Sequence, residues 1–265
     1  MADFECILYE LEDHIATVTL NRPDVMNALN WDAYAELEQV FRDIQKNPEV
    51  RCVILTGAGR AFCSGDDVKQ IMMKIGDGEG GGRLREVRPG TTPAAKAILD
   101  CDRPVIAAVN GAAVGWGMDM SLMADFRIAS EKAKFGELFV KRGLVADVGG
   151  MIRLPKIVGP QKAAELLFTG DIISAEEALK IGLVMEVVSH GELMSAARKL
   201  AERISCNPPL AVRHLKEGLR RSFHGDYDEV GNWIAQTLGV LFQTEDHKEG
   251  VAAFMEKREP VFKGR

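Results

Sequence analysis

The chain has 265 residues, a net charge of −6, and 46% hydrophobic and 27% charged side chains. That is an ordinary globular balance, with room for one domain plus an appendage, and its acidic excess argues against non-specific binding to nucleic acid or to an anionic membrane. Five dispersed cysteines without C-x-x-C spacing, no membrane-length apolar run and an acidic start without a basic or long apolar leader give a cytoplasmic expectation.

In chain order, Phe4 to Leu11 and His14 to Leu20 read as two strands joined by a tight Glu12-Asp13 turn, closed by Pro23, which cannot donate to a ladder. Trp31 to Lys46 is an amphipathic helix: Tyr34, Leu37, Val40, Phe41 and Ile44 fall at helical spacing, and Asn30 caps its start. Arg51 to Gly57 is a strand. The loop from Gly57 to Asp67 invites a dinucleotide-fingerprint reading, but Phe62 stands where the third glycine belongs, and no acidic residue follows at the required distance. Asp66 and Asp67 can cap the helix that begins near Val68, and the N–H near Asp66 can face a ligand.

Residues 76 to 92 hold five glycines between Gly76 and Gly82 and three arginines, Arg83, Arg85 and Arg88. They read as a surface loop or as a pocket wall that varies with substrate. Pro104 to Val109 is a near-continuous apolar run, suited to a strand covered on both faces. A small-residue turn from Asn110 to Gly117 follows, then a helix from about Met118 to Ala124 with Asp119 in its first turn. A second turn, Gly143 to Gly150, places Asp147 just before a short helix, Gly149 to Leu154, ended by Pro155. Gly159-Pro160 opens a helix to Phe168, Ser174 to Glu177 is a capping box, and Val184 to Val188 is a last strand. From Leu193 the chain is helical, with stripes at Val212, Leu215 and Leu219 and at Trp233, Ile234, Leu238, Leu241 and Phe242, and with Thr244 as a cap. Those stripes face either the core or a subunit interface. The composition shift near residue 190 divides a strand-helix core, 1–190, from a helical region, 191–265.

Exposed main-chain N–H groups at a helix start can polarise a carbonyl, and two carboxylates from different turns can then move protons beside it. Asp119 and Asp147 are those carboxylates, although Asp119 also suits the helix dipole and Asp147 also suits an N-cap. Walker A, H-E-x-x-H and G-x-S-x-G patterns are absent, and all five histidines lie outside the glycine turns, so neither a serine–histidine triad nor a metal site is supported.

These residues resemble the crotonase (enoyl-CoA hydratase/isomerase) superfamily over essentially the whole chain. The match is carried by Leu20 to Pro23 with Asn27 to Asn30, Arg60 to Asp67, Pro104 to Gly111 continuing to Asp125, Phe135-Gly136, Gly149-Gly150, Thr169-Gly170 and Phe254 to Arg258. The resemblance implies an α/β fold, a spiral of ββα repeats with a C-terminal helical oligomerisation region that makes trimers or dimers of trimers. It implies an acyl-CoA thioester substrate and no cofactor beyond CoA, which is part of that substrate. It implies an oxyanion hole from the N–H groups of Asp66 and Trp116, a pocket wall from Phe139, Leu144 and Gly115, and CoA contacts from Arg22, Phe262 and Lys263, the last two across a subunit boundary.

The sequence also departs from the family pattern. Of the usual two glutamates, the first matches Asp119 and the second matches Phe139, which cannot titrate. Asp147 matches a position where dienoyl-CoA isomerases and other relatives carry a working aspartate, and Trp116 replaces a common glycine. Asp147 is therefore expected as the main acid/base with Asp119 assisting, in water addition to the double bond or its migration; Glu137 is a weaker, more structural candidate. A dry pocket favours proton exchange near neutral pH. Two other readings stand beside this one: Asp147 as a nucleophile in hydrolase or dehalogenase chemistry, and a non-catalytic acyl-CoA binder.

Overall fold

The computed structural model describes residues 4–73 and 91–265, so most of the glycine-rich 76–92 segment lies outside the described residues. Strands β1 (Ile7–Glu12) and β2 (Ile15–Leu20) form an antiparallel hairpin, paired from Ile7↔Leu20 to Glu12↔Ile15. The turn residues are Asp13 and His14, one place later than the sequence reading. Both have positive φ, 49° and 67°, and that sense of turn matches the twist of the flanking strands. Beyond β2 the sheet is parallel: β3 (Cys52–Gly57), β5 (Val105–Val109), β7 (Phe126–Ser130) and β10 (Glu186–Val188) follow in the order β1-β2-β3-β5-β7-β10.

Period-two alternation divides the buried strands between two layers. Val53, Leu55, Val105, Ala107 and Val109 face α1 (Trp31–Lys46) and α2 (Pro93–Asp100) in the larger core. Cys52, Ile54, Ile106, Ala108 and Ile128 face the other way, against Leu193, Ala197 and Ala201. Those three belong to a later helix, Leu193–Ser205, which lies beyond the division expected at 190/191 and packs as a layer on the sheet. Burial of Leu193 alone contributes about 2 kcal/mol. Helix α1 starts as its sequence requires, with the Asn30 side chain accepting the Ala33 N–H at 2.9 Å.

A second sheet, missed in the sequence reading, is built from very short strands: β4 (Ala61–Cys63), β6 (Ala112–Val114), β8 (Lys134–Gly136) and β9 (Ile173–Ser174), in the order β4-β6-β8-β9. Each long parallel strand passes into one of these, β3 to β4, β5 to β6 and β7 to β8, which is the expected ββα spiral. Helix α3 (Trp116–Met123) follows β6, starting two residues before the expected Met118. A wide π-helical turn, Gly149–Arg153, runs straight into α4 (Leu154–Val158). Pro155 therefore sits in the first turn of α4 rather than ending a helix, because that position asks no donor of it. The chain continues through α5 (Pro160–Thr169), α6 (Ala175–Lys180), α7 (Leu193–Ser205), α8 (Pro209–Ser222), α9 (Tyr227–Leu241) and α10 (Glu245–Glu256). The predicted caps hold: Ser174 accepts the Glu177 N–H at 3.2 Å and Thr244 accepts the His247 N–H at 3.1 Å.

One ion pair, between buried Lys216 and half-buried Asp125, ties α8 to the sheet. Lys216 Nζ lies 2.6 Å from Asp125 Oδ2 and donates to the Arg103 carbonyl at 2.7 Å, while the same Asp125 oxygen accepts the Val105 N–H at 2.8 Å. Removing one partner of such a pair strands the other charge. Because Asp125 is partly exposed and keeps the Val105 N–H, Lys216→Met is expected to cost about 1–3 kcal/mol, read as a lowered urea midpoint at fixed protein concentration; an unchanged midpoint would show that the pair carries no net stability.

Candidate active site

Two main-chain donors meet where the glycine turns cross. Leu29 N–H donates to the Gly65 carbonyl and Asp67 N–H to the Leu29 carbonyl, each at 2.9 Å. Because N–H direction alternates along extended chain, the Asp66 N–H points to the opposite edge. Trp116 opens α3, where a first-turn N–H has no partner within its helix. Among the described residues, neither of these amides is taken by a protein acceptor. The turns touch: a Cβ on Gly65, whose φ is +88°, would lie 3.2 Å from Trp116 N. Gly117 packs directly on the Cys63 carbonyl, an approach that only a residue without Cβ permits.

Gly65, Asp66, Gly115 and Trp116 line a cavity of about 500 Å³. Phe139 and Leu144 line it as expected, and so do Lys69 and Arg142. Arg22 is also on the wall, but its guanidinium is committed: it lies 3.2 Å from Asp67 Oδ2 and bonds the Ala28 carbonyl. Phe262 and Lys263 lie elsewhere in their own chain. Phe262 joins Pro208, Val251, Phe254 and Met255 around a second cavity of about 390 Å³, and the Lys263 N–H donates to Asp246 Oδ1 at 2.6 Å.

At the cavity wall and behind it, hydrogen bonds and one aromatic contact link three carboxylates. Tyr34 Oη donates to Asp66 Oδ1 at 2.5 Å, and its ring packs edge-on against Trp116, centroids 5.0 Å apart. Trp116 Nε1–H donates to Asp147 Oδ2 at 2.9 Å. The Asp147 N–H donates to Asp119 Oδ2 at 2.9 Å, and the Gly150 N–H donates to Asp119 Oδ1. Asp119 is fully buried; burial pushes its carboxyl up to about 7 against those two amides, and the charges of Asp147 and Asp66 push the same way. Burial also raises Asp66, while the Tyr34 hydroxyl opposes the rise. Asp147 stands at the start of the turn: its carbonyl accepts the Met151 N–H at 2.9 Å, while its side chain accepts the adjoining Val148 N–H at 2.7 Å and the indole N–H rather than an N–H further along the turn. The cavity is lined by Trp116, with Asp147 reached through its indole and Asp119 beyond.

The Enoyl-CoA hydratase/isomerase family profile matches residues 10–265. The chain is 39% identical over 260 residues to a Syntrophomonas wolfei protein named crotonyl-CoA hydratase, covering 98% of each. It is 38% identical over 259 residues to a Thauera aromatica protein named (E)-benzylidenesuccinyl-CoA hydratase, covering 97% of this chain and 99% of that one. A crystal structure of enoyl-CoA hydratase from Bacillus anthracis matches the fold with a TM-score of 0.90 at 35% identity, over 98% of this chain and all of that one. The chain belongs to the enoyl-CoA hydratase/isomerase family.

Membership makes it an enzyme of the enoyl-CoA hydratase/isomerase type, acting on acyl-CoA thioesters. The family pattern directed attention to the two aspartates and two amides, but not to Tyr34. The helical stripe of α1 gave Tyr34 an apolar role; its hydroxyl instead reaches Asp66, thirty-two positions away, and no local spacing signals that. Among the described residues no group of three or more His, Cys, Asp or Glu is placed to hold a metal ion. Tyr34→Phe deletes the hydroxyl and keeps the ring on Trp116. It is expected to leave Asp66 Oδ1 without its donor at a cost of about 1–2 kcal/mol, measured by urea unfolding near neutral pH; stability equal to wild type would mean that water replaces the hydroxyl at no loss.

Proposed function

We propose that the protein adds water to the double bond of a 2-enoyl-CoA, with Asp147 as the acid/base, Asp119 assisting, and the amides of Asp66 and Trp116 as the oxyanion hole. The observation that carries this reading is the double use of Trp116. Its main-chain N–H, at the start of α3 and without a protein acceptor among the described residues, is the one assigned to the oxyanion, and its indole N–H holds Asp147 at 2.9 Å. One residue thereby sets the distance between the thioester oxygen and the proton-transferring carboxylate.

In the proposed sequence, the two amides hold the thioester oxygen and polarise the conjugated double bond. Asp147 takes a proton from water as the hydroxyl bonds to C3, and the electrons move through C2 to the thioester oxygen. The resulting enolate collapses as C2 receives a proton from Asp147, so one water is added overall and the carboxylate is restored. The donors stabilise charge that exists only on the way to product, which is why such a pair accelerates the step rather than merely binding substrate. Asp119 acts through the turn: both its oxygens are taken by main-chain N–H groups, so it holds Asp147 in register. Double-bond migration would instead pass through a dienolate held by the same two amides, with the proton leaving C4 and returning to C2.

The same proposal places Phe262 and Lys263 on the CoA of a neighbouring subunit in a homotrimer or dimer of trimers. Supporting this, α9 buries no residue in the single chain and leaves Ile234, Leu238 and the adjoining Phe242 exposed. Lys69 and Arg142 at the cavity wall supply positive charge toward the CoA phosphates, since Arg22 is engaged by Asp67. The reading needs no cofactor, no nucleic acid and no membrane. No helix among the described residues is long and apolar enough to cross a bilayer, and we place the enzyme in the cytoplasm.

The test is turnover in deuterated buffer with a short 2-enoyl-CoA and a 3-enoyl-CoA, followed by mass spectrometry. Asp147→Asn is expected to lower kcat for hydroxyacyl-CoA formation at least about 10²-fold with little change in KM. Migration without hydration would make the enzyme an isomerase. A trapped ester on Asp147 would make that residue a nucleophile, and tight binding without deuterium exchange would make the protein a binder.

A further inference from the structure

Glu137 has no part in the reaction described above, yet its environment is unusual. It follows β8, is 1% exposed, and neither carboxyl oxygen has a hydrogen-bond partner. A buried carboxyl without partners costs stability and needs a physical account. The glycine pair supplies the geometry. A Cβ on Gly149 would lie 2.5 Å from Asp119 Oδ1, and one on Gly150 would lie 3.0 Å from the Glu137 carboxyl carbon and from Oε1. Adjacent residues of one turn therefore rest on two different buried acids.

Two such acids resist ionising together in a dry site, so from about pH 7, where Asp119 ionises, up to the ionisation of Glu137 the pair carries a single negative charge. Its location follows from the donors. Asp119 accepts two main-chain N–H bonds, from Asp147 and Gly150, and charge on it strengthens both. Glu137 accepts none, so the proton rests there. We propose that Glu137 is a positioning residue, the proton-bearing partner of Asp119, which confines the pair's charge to Asp119 and so holds the Asp147 turn in place for proton transfer.

The proposal rests on the hydratase reading above. The groups that bear on it come from three elements: Asp119 of α3 acts on Glu137, while Asp147 of the turn and Asp66 of the glycine loop act on Asp119. Burial first, then the Asp119 charge, push Glu137 up to about 9. A folded-state value raised above the ordinary carboxyl value gives stability that is fully present below that ordinary value and is lost as pH rises toward the folded one.

The test compares wild type, Glu137→Gln and Asp119→Asn, each as intact full-length protein. Glu137→Gln keeps the shape and fixes the side chain as neutral. Between pH 5 and pH 9 the wild-type Tm is expected to fall relative to Glu137→Gln by at least about 3 °C. In Asp119→Asn the fall is complete at lower pH, because the neighbouring charge is gone. In turnover, wild-type kcat is expected to decline on the alkaline side as Glu137 ionises, with KM little changed, and Glu137→Gln is expected to lose that decline. Superposable Tm profiles, or an alkaline limb retained in Glu137→Gln, would overturn the proposal. So would a pH-independent Tm offset with an unaltered kcat profile, the signature of a packing role alone. A wild type with no turnover on any enoyl-CoA, but with the Tm signature intact, would instead sink the hydratase reading and the positioning role with it, leaving only the acid pair.

Discussion

A buried carboxylate holding a turn from a distant part of the chain is the interaction on which this site depends. Asp119 sits in the first turn of α3 and receives the N–H groups of Asp147 and Gly150, about thirty residues further on. Burial alone would drive it to neutrality; two amides aimed at its oxygens oppose that drive. The same helix start presents the Trp116 amide to the cavity and the Trp116 indole to Asp147. A change of protonation at Asp119 is therefore also a change in how firmly the Asp147 turn is seated. Charge and geometry at this site cannot be altered separately.

Such seating requires backbone to approach backbone closely, and the parallel sheet makes that possible. Strands β3, β5 and β7 fix the starting points of successive turns, and each turn then passes through a short strand of the second sheet. Where turns cross, side chains are excluded: Gly117 rests on Cys63, Gly149 on Asp119 and Gly150 on Glu137. Asn27 and Asn110 secure the crossing from the polar side, both donating to the Ala61 carbonyl, at 2.8 and 3.1 Å. An added methyl group would meet the Asp119 main chain as well as its carboxyl at Gly149, and Ala146 Cβ and the buried Glu137 carboxyl at Gly150.

Much of this was legible from residues alone where the signal is local. The Asn30, Ser174 and Thr244 caps, the α1 stripe and the fully apolar β5 each depend on neighbours within a few positions, and each stands where the pattern put it. The glycine turns and the two aspartates were legible through their order and spacing along the chain. The second sheet was not, because its strands have two or three residues and are too short to show alternation. Pro155 was misread because a wide turn lets α4 begin at the very place where a proline usually stops a helix. Tyr34 and Glu137 were opaque for a different reason. Their roles arise from partners 32 and 18 positions away, brought close by topology rather than by periodicity.

The replacement of a second glutamate by Phe139 gains a physical sense from this arrangement. In the proposed reaction, an enolate held by the Asp66 and Trp116 amides would add negative charge beside a site that already carries Asp66, Asp119 and Asp147. A further ionised carboxylate on the cavity wall would oppose it. Phe139 adds apolar surface there instead, and the remaining acids are each matched with donors: Tyr34 on Asp66, the indole on Asp147, and two amides on Asp119. Glu137, which has no donor, is not among the cavity-lining residues, and burial pushes its carboxyl up to about 9. On this argument the site tolerates several acids around a developing oxyanion because only those with a hydrogen-bond donor in place are asked to carry charge.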